Sequence, residues 1–156
     1  MEYTAIMARQ LREVYLNGTW IATNLKAQLA DVTFEQATKK IGDLNTIAAL
    51  AFHINYYVAG VGQALKGGKL EIRDKFSFDL PPLSSEEDWE NLKNQMWEDG
   101  ENFANAVEQL QEEQLSNAFF DEKYGSYYRN IVGIIEHTYY HLGQIALLKK
   151  LVTHND

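Results

Sequence analysis

The chain contains no cysteine, which excludes disulfides, thiolate metal ligands and a cysteine nucleophile. It has only two prolines, adjacent at Pro81 and Pro82, so almost all of its length is free to be helical. Positive charge is scarce: 14 Lys and Arg stand against 22 Asp and Glu, for a formal net charge of −8. A nucleic-acid partner needs Lys and Arg gathered on one face, and no basic cluster occurs, so none is expected. No apolar run is long and charge-free enough to span a bilayer, which predicts no membrane partner. Met1-Glu2-Tyr3 is not a basic region followed by an apolar one, so no signal peptide is expected. Together with the absence of cysteine this fits a cytoplasmic protein. The acidity itself serves solubility.

At 156 residues the chain is expected to form one domain, spanning 1–156, with a sizeable core. Its apolar residues recur at helical spacing in four stretches. Residues 3–16 carry Ile6, Met7, Leu11, Val14 and Tyr15 on one side. Asn17-Gly18-Thr19 interrupts them, and Thr19 is an N-cap candidate for a restart at Trp20, so the first helix is expected to be kinked or split into two nearly collinear parts. Thr33-Phe34-Glu35-Gln36 is a capping-box pattern that opens one further turn. A second helix over 46–66 buries Ile47, Leu50, Ala51, Ile54, Val58, Val61 and Leu65. Gly60 and Gly62 interrupt its propensity and imply a close neighbour or open space. Gly67-Gly68 ends it, and a long loop follows over 70–82 with Phe76 and Phe78. The third helix is capped by Ser84 or Ser85 and runs to about residue 112, with Trp89, Leu92, Met96, Phe103, Val107 and Leu110 as its stripe. A connector over 115–125 tucks Phe119 and Phe120 under the helices, and Ser126 caps the fourth helix. The expected fold is all-α, a four-helix bundle.

The last helix carries the chemistry. Ile134, Thr138, His141, Ile145, Leu148 and Val152 alternate steps of four and three and form one stripe. His137 lies at its edge. At about 100° per residue, a step of four returns the second imidazole to within roughly 40° of the first, one turn on. Neutral imidazole is a ligand for zinc, nickel, iron or copper, which gives a reason for two of them on an inward face. His53 lies on the buried face of the second helix, in line with Leu50 and Tyr57. The fourth histidine, His154, is in a polar C-terminal tail. A single buried histidine is more often a hydrogen-bonded core residue than a ligand. Three inward histidines are harder to explain that way, because each needs its own partners once buried. Three protein nitrogens leave coordination positions open for water or substrate, the pattern of a catalytic metal, whereas structural sites are usually closed by four protein ligands.

The helix order, His53 in mid-helix and the run Glu136-His137-Thr138-Tyr139-Tyr140-His141-Leu142-Gly143-Gln144 together resemble the DinB-like (DinB/YfiT) superfamily of metalloenzymes. The resemblance extends over nearly the whole chain, from about residue 11 to 151. It implies a four-helix bundle in which His53, His137 and His141 hold a divalent metal, zinc or nickel first, iron or manganese next. Characterised members of that superfamily include transferases and isomerases dependent on low-molecular-weight thiols, and others are regarded as metal-dependent hydrolases. In both, a cation held by three neutral ligands keeps its charge and lowers the pKa of a bound water or thiol.

Other residues are candidates for the surroundings of the site. Tyr57 follows His53 by one turn, and Tyr140 follows His137 by three; either hydroxyl could donate a proton or orient a bound group, or simply pack. Gln144 follows His141 by three and could contact substrate or cap a buried polar group. Trp20 could wall the pocket or pack in the core. Glu136 points about 100° away from His137 and suits a supporting contact instead of a ligand. The expected function is a metal-dependent hydrolase or thiol transferase acting on a small molecule; the alternative is a non-catalytic metal- or ligand-binding bundle with a structural or sensing role. Apolar surface beyond one stripe, at Tyr56, Val132, Tyr139 and Ala146, predicts a homodimer, as the resemblance also does.

Overall fold

Apolar residues at helical spacing drive six helices in the computed structural model, which describes residues 2–18 and 20–153. These are α1 (Tyr3–Tyr15), α2 (Leu25–Leu29), α3 (Phe34–Thr38), α4 (Ile47–Leu65), α5 (Glu86–Glu108) and α6 (Tyr127–Thr153). The chain is all-helical: among the described residues the β pairing is a single bridge, Ala118 with Ser126. No described helix is long and apolar enough to cross a membrane.

Four of the helices are long, and they pack in pairs: α4 against α5 and α6, and α1 against the same two. The stripes seen in the sequence are the packed faces. Leu11, Val14 and Tyr15 of α1, Ile54 and Val58 of α4, Trp89, Met96 and Phe103 of α5, and Ile131 and Ile145 of α6 are all essentially removed from solvent. Each such side chain contributes about 1.5–3 kcal/mol through burial. Trp89 also satisfies its indole N–H, which donates to the Val32 carbonyl at 2.7 Å.

The helix starts follow their caps. Thr46 accepts from Ala49 N, Ser85 accepts from Asp88 N, and Thr33 with Gln36 forms the reciprocal capping box. Glu86, Glu87 and Asp88 fill the first turn of α5, where the dipole favours negative charge.

Three expectations are corrected. α1 ends at Tyr15, and the next helix begins at Leu25 instead of Trp20, because Asn24 supplies the cap by accepting from Ala27 N at 2.8 Å. Gly18 breaks the chain between them with φ of 67°, a left-handed conformation. Thr19, expected as the cap, and His154 lie outside the described residues. α5 ends at Glu108, earlier than expected, and a 3-10 turn at Glu112–Ser116 follows. Phe119 is buried, but Phe120 is exposed with φ of 61°, so only the first of the pair is tucked in.

Residues 66–85 fold back along α4. Gly60 permits this: a Cβ at that position would meet Ile72 Cγ1 at 2.5 Å. The returning segment makes a 3-10 turn at Asp74–Phe76, closed by Ser77, whose N–H and hydroxyl both donate to the Asp74 carbonyl at 3.0 and 2.8 Å.

Candidate metal centre

α4 is held in place just beside His53. Asn55, 8 % exposed, accepts from the Tyr15 hydroxyl of α1 at 2.9 Å and donates to Asp99 Oδ2 of α5 at 2.8 Å. Two bonds of this kind fix both the rotation and the height of α4, which sets where the His53 ring points. On α6, His137 and His141 lie one turn apart, flanking the fully buried Thr138. The packing of α4 on α6 then brings the three imidazoles together.

The rings converge through their Nε2 atoms. His137 Nε2 is 3.0 Å from His53 Nε2 and 3.1 Å from His141 Nε2. His53, His137 and His141 each offer a ligand nitrogen within 4.8 Å of the others, close enough to bind a metal. The far nitrogens show which tautomers are present. His53 Nδ1–H donates to the Ser77 carbonyl at 3.2 Å, since a carbonyl can only accept. His141 Nδ1–H donates to Gln144 Oε1 at 2.6 Å. In the neutral state the Nε2 atoms of His53 and His141 are therefore both bare lone pairs directed at His137. One proton on His137 Nε2 can serve only one of them well. A cation at the meeting point satisfies all three.

This donor set fits a transition metal. Zinc–nitrogen bonds of about 2.0–2.1 Å at tetrahedral angles place nitrogens about 3.3–3.4 Å apart, a few tenths of an ångström from the two spacings that His137 Nε2 makes, with all three ligand nitrogens within 4.8 Å of one another. The far-side bonds to Ser77 and Gln144 are those that orient metal-binding histidines and raise their basicity. Three neutral ligands also suit a divalent cation that must keep its charge.

Electrostatics point the same way. Burial lowers the pKa of His137 to about 4, helped by His141 and His53. His53 is lowered chiefly by burial, against the opposing bond to Ser77, and His141 is lowered by burial against its bond to Gln144. The site thus favours neutral imidazoles, the form that binds metal.

One face of His53 is covered by Phe78, whose ring stacks at 3.9 Å with an interplanar angle of 10°. Tyr57 sets its ring edge-on to His53 at 5.3 Å and to His137 at 5.1 Å, and its hydroxyl donates to Asp74 Oδ1 at 2.9 Å. A cavity of ≈ 680 Å³ opens on the His137 side, with Tyr57, Arg73, Asp74 and Arg129 among its polar lining.

Of the other candidates, Gln144 orients His141, and Tyr140 lies against the His141 ring at 4.8 Å while accepting from Gln144 Nε2 at 3.4 Å. Tyr140 itself is largely exposed. Trp20 is a correction: it is 96 % exposed and walls no cavity at the histidines, because the segment after α1 is not helical and carries it away from the core. Glu136 pairs with Arg129 of its own helix at 2.9 Å, not with a neighbouring one.

Sequence reasoning missed the Ser77 carbonyl and the contributions of Asp74, Arg73 and Arg129. A backbone carbonyl has no sequence signature, though the length of the 70–82 loop was a hint that it returns to the site. The chain matches no protein-family model, no curated protein and no solved structure.

Proposed function

We propose that this chain is a metalloenzyme with a four-helix bundle of the DinB-like kind, in which His53, His137 and His141 hold one divalent cation, zinc or nickel foremost. The observation that carries the reading is the convergence of three Nε2 atoms, two of which, on His53 and His141, are left free to coordinate by the Nδ1 bonds of their rings. The pairwise packing of α1, α4, α5 and α6 supports the bundle.

The reaction class is hydrolysis, or transfer to a low-molecular-weight thiol, with a small molecule as substrate. A divalent cation bound there would supply acidity to a water or thiol in its remaining positions. The chain's own residues do the rest. Phe78 keeps water off one face of His53, and Gln144 and the Ser77 carbonyl hold two rings in the coordinating tautomer. Tyr57 spends its proton on Asp74, so it offers an incoming group an acceptor oxygen beside His137. The cavity supports an enzyme over a closed structural site, because it gives small molecules access to His137.

A homodimer belongs to the same proposal. Val132, Tyr139 and Ala146 are only half-buried in the single chain. Light scattering at micromolar concentration is expected to report twice the monomer mass; monomer mass overturns it.

Elemental analysis of protein purified without a histidine tag tests the metal directly. About one divalent ion per chain is expected, and no ion, even after titration with zinc and nickel, overturns the reading. A screen of esters, and of electrophiles offered with several low-molecular-weight thiols, is expected to find turnover that His141→Ala removes.

A further inference from the structure

The cavity beside His137 is amphipathic, and the helix geometry delivers a guanidinium to it. Arg129 begins two turns before His137 on α6, yet its Nη1 donates to Glu136 Oε2 at 2.9 Å, a bond spanning seven residues. The side chain is therefore laid out along the helix towards its C-terminal end. It passes over Gly133, where an added Cβ would stand 3.4 Å from Nη1. Arg129, Gly133 and His137 recur at every fourth position on one face, and all three line the cavity. A fixed positive charge thus lies within about a turn of the candidate metal ligand.

The charge can be exchanged. Arg129 and Glu136 are 63 % and 61 % exposed, so water already screens their pair and its loss costs little. A guanidinium has five N–H donors in a planar fork, which matches a carboxylate in a bidentate manner. The cavity continues onto an apolar wall that includes Val61, Ile72, Phe119 and Ile134. The surplus of positive charge on the rim is small: Arg73 and Arg129 stand there with Asp74, and Glu136, outside the lining, pairs with Arg129. That balance suits a planar monoanion and disfavours a phosphate dianion.

We propose that the cavity recognises small amphipathic carboxylates, with the carboxylate on Arg129, the hydrocarbon body on the apolar wall and the reacting group towards His137. The proposal names the substrate class of the reaction proposed above and rests on that reading for its catalytic meaning, whereas the binding step needs only the cavity.

Calorimetric titration of the full chain with 4-phenylbutyrate, its neutral amide and 4-phenylbutyl phosphate tests it, first after EDTA treatment and then with zinc restored. In the EDTA-treated protein the acid is expected to bind about two- to fivefold more tightly than the amide, the worth of an ion pair at a guanidinium this exposed. Arg129→Gln is expected to abolish that preference with unchanged thermal melting, and Arg129→Lys to retain part of it. Equal binding of acid and amide, no binding of either at millimolar concentration, retention of the preference in Arg129→Gln, or tighter binding of the phosphate ester each overturns the proposal. Protein that takes up no zinc but keeps the acid preference sinks the metal reading alone. Protein that takes up zinc without the preference sinks this one alone.

Discussion

Nδ1 of His141 and Oε1 of Gln144 lie 2.6 Å apart, across one turn of α6. The contact holds the ring by its back, so that Nε2 faces His137. Gln144 is itself steadied, because its amide nitrogen donates to the Tyr140 hydroxyl at 3.4 Å. Replacing Gln144 with Ala leaves all three proposed ligands in place but frees one to rotate. Zinc affinity is expected to fall by about 10- to 100-fold, the usual cost of losing such a support. Competition against a chromophoric chelator would measure this; unchanged affinity would mean that packing alone orients His141.

The three histidines should act as one unit. Substituting any one by Ala is expected to remove metal nearly as completely as substituting all three, since two imidazoles hold a divalent ion poorly. Folding should survive, because the core residues of α1, α4, α5 and α6 are buried independently of the site. Metal content and circular-dichroism melting of each variant check both halves. A variant that loses its helices along with the metal would assign the ion a structural role and end the enzyme reading.

Stability without metal should depend on pH in a defined direction. His137 is pushed down to about 4, and His53 and His141 are also lowered, mainly by burial. In the unfolded chain all three titrate near about 6.5. Below that pH the unfolded state takes up protons that the folded state refuses, so acid favours unfolding. The stability is complete above about pH 6.5 and declines as pH falls towards 4. Melting of EDTA-treated protein between about pH 7 and about pH 5 is expected to show this slope, reduced when the three histidines are changed to Gln. Identical slopes for the two proteins would refute the assignment.

Gly60 offers a test from outside the histidines. Its missing side chain lets Ile72 press on α4, and the same segment carries Ser77 to His53. Gly60→Ala is expected to cost about 1–3 kcal/mol through overpacking, despite the better helix propensity of Ala. It should also weaken zinc binding by displacing the Ser77 carbonyl. Urea unfolding and the same chelator competition decide the matter; full stability with full affinity would show that the segment adjusts freely.

The helices and the three histidines were legible because both announce themselves by spacing. His137 and His141 differ by one turn, and His53 falls on the Leu50–Ile54–Val58 face that α4 does bury. The path of the chain between helices was not legible. Trp20 looked like a core residue by its chemistry, yet Gly18 and the Asn24 cap put it on a non-helical segment, where it is exposed. Arg129 carries no signal of its own in the sequence pattern. Only its bond to Glu136 over the bare Gly133 turns it along the cavity. Ser77 contributes a backbone atom, and no side-chain pattern can reveal that.

His53 and His137 are 84 residues apart in the chain, so an ion joining them would close more than half of it into a loop. A covalent link of that span removes about 4–5 kcal/mol worth of freedom from the unfolded state, an upper bound for an exchangeable coordination bond. The ion would then be a removable staple between α4 and α6, slowing their separation while it stays and yielding to a chelator as a disulfide yields to a reductant. In a chain without cysteine, coordination would take the place that a cross-link would hold.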